Sequence, residues 1–281
     1  MGRYENVAVF EDTEKLCKEN KKISSATKIS VNAQELVLES DSILTEKKVV
    51  YTEKAKVVVS KKRTLEAASS YQGERTAVHN FASATNPGGG VVNGSSAQEE
   101  CLCRCSNLYF CLNTQPMWNG FYGPHRNERN PLHNDDIIYT PDVTVFKTDT
   151  PDPKLMPEEK WYCVDVITCA APNLREKPGN RYNSGDGSQS VKVTDKELLA
   201  IHEKRLKQIL DVALLHKVTS IVLGAFGCGA FQNNPEVVAL AAKNVVKNYL
   251  YSFKNIEFAI YCSGTNDWNY KVFLRHLSGL R

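Results

Sequence analysis

Asn86-Pro87-Gly88-Gly89-Gly90-Val91-Val92-Asn93-Gly94-Ser95-Ser96-Ala97-Gln98-Glu99-Glu100 reads as a side-chain-free turn that runs into the start of a helix. Three consecutive glycines remove every Cβ, so the backbone is free to take φ > 0 and to lie directly against a ligand. Ser96 and Glu99, three residues apart, fit a capping box, which predicts a helix starting near Ser96 and running to Leu112. A glycine turn opening onto a helix N-terminus offers unpaired N–H groups and the positive end of the helix dipole, a pairing that suits phosphate. Two carboxylates beside an anion repel it unless they do chemistry on it. That tension points to an enzyme, although a capping Glu99 and a surface Glu100 are the bland alternative.

Upstream of the turn, residues 76–81 read as a buried strand, 64–71 as a helix with Thr64 as its N-cap, and 57–59 as a strand. Downstream, Ser220-Ile221-Val222-Leu223 is a short apolar strand that enters a second glycine turn, Gly224-Ala225-Phe226-Gly227-Cys228-Gly229-Ala230-Phe231. Asn234 and Pro235 then look like the N-cap and first-turn proline of a helix over 236–250. Each glycine turn taken singly could be no more than a tight turn. Neither matches the P-loop, which needs a Lys-Ser/Thr pair, nor the dinucleotide fingerprint with its later acidic residue.

Between these turns, 113–135 has no periodicity and is expected to be a long irregular loop, packed rather than disordered because of Trp118, Phe121 and Tyr122. Residues 137–139 and 143–146 read as two short strands, and 161–169 as a central, near-continuously apolar one. The segment 181–190 reads as a polar, mobile surface loop, 195–216 as an amphipathic helix, 256–261 as the last strand and 268–277 as a closing helix. This alternation is βαβ-like and predicts an α/β fold with a largely parallel sheet flanked by helices, its ligand at the strand ends. Residues 57–281 are expected to form that domain. Residues 1–56, with a helix over 12–22 and a strand over 49–53, are expected to be an accessory layer packed on it.

Lys and Arg are spread along the 281 residues and the net charge is only +3, so direct, sequence-specific nucleic-acid binding is not expected. There is no apolar run long enough to span a bilayer and no signal-peptide core at the N-terminus, and nine cysteines without a repeating framework fit reduced thiols. A cytoplasmic, monomeric protein with no membrane partner is the expectation. Cys101, Cys103 and Cys105 fall on two helix faces and lack a histidine at ligand spacing, so zinc is not expected, nor any other metal or cofactor. Cys228 is read as a small packed side chain in preference to a reactive thiol. His79, inside a strand, reads as a core residue. Glu99 and Glu100, neighbours on one helix, cannot flank a sugar from opposite faces, so one at most meets the scissile bond.

Gly88-Gly89-Gly90 followed after seven residues by Gln98-Glu99-Glu100 resembles the signature of the poly(ADP-ribose) glycohydrolases, and the wider text is similar to their microbial type. The matching pieces are Asn80 to Ala84, Asn86-Pro87-Gly88, Ile138-Tyr139-Thr140-Pro141, Ala170-Ala171-Pro172-Asn173, Val222 to Gly229, and Asn234-Pro235. The resemblance implies a macrodomain-like three-layer α/β/α sandwich with a mixed, largely parallel sheet, acting on poly(ADP-ribose) and ADP-ribosylated macromolecules. It implies Glu100 as the catalytic acid and Glu99 as the ligand of the ribose hydroxyls at the scissile end. Substrate binding falls to Asn86, Gly88, Gly89, Gly90, Val91 and Gln98 beside that ribose, and to Gly227, Cys228, Gly229, Ala230 and Phe231 around the diphosphate and the distal ribose. The alternatives are a hydrolase of mono-ADP-ribose linked to protein or nucleic acid, and a catalytically silent ADP-ribose reader.

Overall fold

The computed structural model describes residues 2–41, 43, 49–179 and 185–280. The chain opens with α1 (Arg3–Glu19) and α2 (Lys21–Asn32). Asn20 separates them, because its side-chain oxygen accepts the amides of Lys22 and Ile23 at 3.0 and 3.2 Å and so caps α2. The single helix expected over 12–22 is therefore the junction of two. β1 (Glu35–Val37), β2 (Lys56–Ser60), α3 (Thr64–Ala68) and β3 (Thr76–Ala82) follow. Residues 49–53 form no strand; Val50 and Tyr51 only donate their amides to the carbonyl of Tyr251. Arg63, not Thr64, occupies the cap of α3.

Beyond the glycine turn, α4 (Gln98–Cys105) and α5 (Leu108–Leu112) divide the helix expected to be continuous. Ser106 and Asn107 break it by docking on a strand: Ser106 bridges Val145, and Asn107 Oδ1 accepts the amide of Thr144 at 2.9 Å. The region expected to be an irregular loop holds α6 (Gln115–Met117), a wide π turn over Trp118–Tyr122 and α7 (Gly123–Glu128), anchored by the fully buried Phe121 and Tyr122. Then come β4 (Ile137–Val145), β5 (Tyr162–Ala170), α8 (Asp195–Leu215), β6 (Ser220–Leu223), α9 (Pro235–Val246), β7 (Asn255–Ala259) and α10 (Trp268–Leu277). β4 is one strand with an irregularity between Thr140 and Val143, where two strands were expected. Of the loop expected at 181–190, residues 181–184 lie outside the described residues; Asp186 is buried and bonded to Asn173, so that part is packed.

The strands form one sheet in the order β1-β4-β5-β3-β6-β7-β2. β5, β3, β6, β7 and β2 pair in parallel, while β4 runs antiparallel to β1 and to β5. One apolar layer gathers Ile209 of α8, Val238 of α9 and Phe273 of α10 against Ile221 and Phe258. A second, on the other face, gathers Leu65, Leu102, Leu108 and Phe121 against Val78 and Val166. The molecule is thus a three-layer α/β sandwich with a mixed, largely parallel sheet.

α1 braces the first glycine turn from behind. Arg3 and Asn6 donate to the carbonyls of Asn93 and Gly94 at 2.6 and 3.1 Å, and Thr13 Oγ1 donates to that of Arg104 in α4 at 2.6 Å. Phe10, 4% exposed, meets the ring of Tyr109 edge-on at 5.0 Å. Emptying that contact by Phe10→Ala should lower unfolding stability by about 3–5 kcal/mol in urea titration, the usual range for a buried phenylalanine.

Candidate active site

The C-terminal ends of β3, β6 and β7 open into a cleft of about 620 Å³. Parallel strands deliver their following loops to one edge of a sheet, and ligands collect there. Gly89 and Gly90 of the first turn, Glu99 and Glu100 of α4, and Gly227, Gly229, Ala230 and Phe231 of the second turn all line this one cleft. The two turns, more than 130 residues apart in the chain, share a single site.

α4 is held to β3 through Gln98. Its Oε1 accepts the amide of Phe81 at 2.9 Å, and its Nε2 donates to the carbonyl of His79 at 2.8 Å and to Thr64 Oγ1 at 3.1 Å. This clamp fixes the first turn of α4 and with it the two glutamates. No capping box forms: Ala97 is the cap and makes no side-chain bond. The carboxylate of Glu99 turns instead to β3, accepting from Asn80 Nδ2 at 3.3 Å and from the amide of Ser83 at 2.8 Å. Glu100 Oε1 accepts the amide of Gly90 at 2.9 Å, while its Oε2, buried, has no hydrogen-bond partner among the described residues.

Glu99 is 3% and Glu100 7% exposed. Burial, then the charge of Glu100, pushes the Glu99 carboxyl from 4.5 up to about 8, against the opposing bonds from Ser83 and Asn80. Burial likewise raises Glu100, opposed by the amide of Gly90 and, further down, by Arg104. Carboxyl groups removed from water hold a proton more strongly than exposed ones, as a general acid requires.

The glycines make room for this. At Gly89, φ is +58° and an added Cβ would lie 2.6 Å from Glu100 Oε1. At Gly227, φ is +75° and a Cβ would lie 2.7 Å from Ala171 Cβ. The backbone N–H groups of Gly227, Gly229, Ala230 and Phe231 have no acceptor among the described residues. Several amides without an acceptor among the described residues, on one short turn that lines a cleft, suit an anion.

The description "Microbial-type PARG, catalytic domain" belongs to a family model that matches residues 5–148. The chain belongs to this family. It is a poly(ADP-ribose) glycohydrolase, a glycosidase with the family's macrodomain-like fold. It resembles the crystal structure of the glycohydrolase of Thermomonospora curvata at a TM-score of 0.81 and 28% identity, over 98% of this chain and 100% of that one. The same bacterial enzyme bound to the inhibitor ADP-HPD matches at 0.79 and 29%, over 97% and 99% of the two chains. The glycohydrolase of Deinococcus radiodurans in complex with ADP-ribose matches at 0.76 and 27%, over 91% and 98%. No curated protein sequence matches the chain.

The remaining site candidates divide. Asn86 lines the cleft, its Oδ1 accepting from Arg126 at 3.4 Å. Gln98 reaches the wall, but its amide is occupied by the β3 clamp, so it positions the glutamates and has little left to offer a ligand. Gly88, Val91 and Cys228 stand behind the lining. Gly88 backs on the ring of Tyr109, Val91 is fully buried with Leu102 and Leu108, and the Cys228 thiol donates to the carbonyl of Phe226 at 3.7 Å while burial raises its pKa. His79 is buried, its pKa pushed down to about 3 by burial first and then by His202.

Sequence reasoning missed Asn80, Arg63, Arg175 and Tyr261 as elements of the site. Arg175 Nε donates to Asn173 Oδ1 at 2.9 Å and its guanidinium lies 5.7 Å over the ring of Phe231. Arg63 lies 3.9 Å over the ring of Tyr261 at the far end of the cleft. Nothing local marks them. Arg63 ends an ordinary basic run, Lys61-Lys62-Arg63, and Arg175 follows a turn whose alanines and proline draw the eye first.

Gly89→Ala should displace Glu100 and leave the fold in place. Release of ADP-ribose from polymer should fall about a hundredfold or more, the scale of an ångström-size misplacement, with an unchanged circular dichroism spectrum.

Proposed function

We propose that the enzyme hydrolyses the ribose–ribose O-glycosidic bond of poly(ADP-ribose), with Glu100 first as general acid and then as general base. The observation that carries this is Glu100 itself, in the wall of the cleft: one oxygen is pinned by the Gly90 amide and the other is buried without a partner among the described residues. A glycosidic bond breaks through an oxocarbenium-like state, so the leaving oxygen needs a proton and the anomeric carbon needs negative charge nearby. Protonated Glu100 gives its proton to the bridging oxygen as the glycosidic C–O bond breaks, so that oxygen leaves as a hydroxyl. The cation that remains is stabilised by the substrate's own diphosphate. Glu100, now ionised, takes a proton from the attacking water, and ADP-ribose is released.

In this pose the open amides of Gly227, Gly229, Ala230 and Phe231 take the diphosphate, and the ring of Phe231 packs on the distal ribose. Gly89, Gly90 and Asn86 shape the pocket of the terminal ribose, with Gly88 and Val91 packed behind them, and Glu99 accepts from that sugar's hydroxyls. The bonds from Asn80 and Ser83 leave Glu99 lone pairs for this purpose. Residues 1–56 act as an accessory layer on a catalytic domain over 57–281, to which they add β1 at the sheet edge and which α1 braces through Asn93, Gly94 and Arg104. Nine free thiols support a reducing, cytoplasmic setting. A silent reader has no use for two buried carboxyl groups with raised pKa at the mouth of an anion site, which favours the hydrolase.

Glu100→Gln should reduce ADP-ribose release from purified polymer by about 10²–10⁴-fold, the range for a lost general acid–base, while the Kd for ADP-ribose stays within about threefold. Activity of the parent should decline as pH rises through the elevated Glu100 pKa, because the proton to be donated is then gone. Undiminished turnover in the variant removes Glu100 from the role.

A further inference from the structure

Asn233 fills the crook of the second glycine turn and is 2% exposed. The two protons of its amide nitrogen are shared among three backbone carbonyls, of Pro172 at 2.7 Å, Gly227 at 3.1 Å and Phe231 at 3.2 Å. Its own backbone amide donates to the carbonyl of Gly227 at 3.0 Å. Its side-chain oxygen faces away from the turn, towards His202 Nε2 at 2.8 Å. His202 rises from α8, is 3% exposed, and packs edge-on against Phe226 with ring centroids 5.6 Å apart. Neither side chain is in the lining of the cleft.

Gly227 and Phe231 bracket the C-terminal half of the turn. The grip therefore falls on both ends of a segment whose intervening residues include a second glycine and whose amides at 227 and 229–231 have no acceptor among the described residues. A glycine-rich turn left to itself samples many conformations, and ordering it at the moment of binding would weaken affinity. Burial, and to a smaller extent Arg205, pushes His202 down to about 4, so at neutral pH its ring is uncharged. An uncharged imidazole with Nε2–H donating to the oxygen of Asn233 leaves the nitrogen of that amide turned to the three carbonyls. The amide has one orientation only.

We propose that Asn233 and His202 form a buried clamp that pre-sets the second glycine turn for a diphosphate, making both of them positioning residues for the glycohydrolase reaction. This rests on the diphosphate-binding role proposed above for the turn. The clamp acts through the backbone, and its effect is on ligands that carry the diphosphate.

The test compares the parent with Asn233→Ala, His202→Leu and His202→Gln, using calorimetric titration with ADP-ribose and with adenosine, and steady-state kinetics on polymer. Asn233→Ala and His202→Leu should each raise the Kd for ADP-ribose and the KM for polymer by roughly tenfold or more, the scale of lost buried hydrogen bonds, with adenosine affinity unchanged and kcat within about threefold. His202→Gln, which keeps a nitrogen donor, should return affinity to near the parent's. Equal weakening of ADP-ribose and adenosine, or failure of glutamine to restore binding, overturns the clamp in favour of a plain packing role. Unchanged ADP-ribose affinity in both disrupting variants also overturns it, and if Asn233→Ala does not fold, the His202 pair carries the comparison. A parent that binds adenosine as tightly as ADP-ribose would instead remove the diphosphate role of the turn itself.

Discussion

Two neighbouring carboxyl groups kept out of water are the constraint around which this molecule is arranged. Left exposed, Glu99 and Glu100 would both be ionised and would repel any phosphate ligand. Buried on the first turn of α4, both are pushed up by loss of water, and the charge of Glu100 raises Glu99 further. Such groups stay buried only if the backbone around them supplies donors, and it does so through the amides of Ser83 and Gly90. Side-chain-free residues are needed at that point because a single Cβ on Gly89 would occupy the space of the Glu100 carboxylate.

The groups that hold this arrangement are for the most part not the groups that meet the ligand. Gln98 is next to the buried carboxyl pair in sequence, yet its amide is used to fasten α4 to β3 and α3. Asn233 stands in the same relation to the second turn, its amide used up on carbonyls behind the loop. In both cases a primary amide, able to donate and accept at once, locks a piece of backbone so that other atoms face the cleft. α1 adds a third brace, binding the back of the first turn from a part of the chain far outside the α/β alternation. The division of labour is physically sensible, since a backbone amide aimed at an anion cannot also secure its own position.

Much of the architecture was open to reading from periodicity and caps. β3, β5, β6, α8 and α10 lie within a residue or so of the spans their patterns predict, because each carries a strong local signal: an apolar run, a threonine or asparagine cap, or an amphipathic stripe. The failures around α4 share one cause. Ser106 and Asn107 end a helix that sequence pattern would continue, and they do so because backbone and side chain find partners on a distant strand, whereas Asn20 breaks its helix by capping the next one locally. The capping box at Ser96 failed for a similar reason, as the bonds offered by Asn80 and Ser83 drew Glu99 away from its own helix end.

Composition and order of residues by themselves determined that the chain forms an α/β sheet with two glycine turns at strand ends, and that acids stand beside one of them. Those are properties of neighbours along the chain, and glycine, proline and alternating apolar residues announce them locally. Only the tertiary structure decided that the two turns face one another across a single cleft, that Val91 and Cys228 stand behind its wall, and that Arg63, Arg175 and Tyr261 enter it. Only there do the acids lose water and their pKa values rise, because burial is a sum over residues brought from the whole length of the chain.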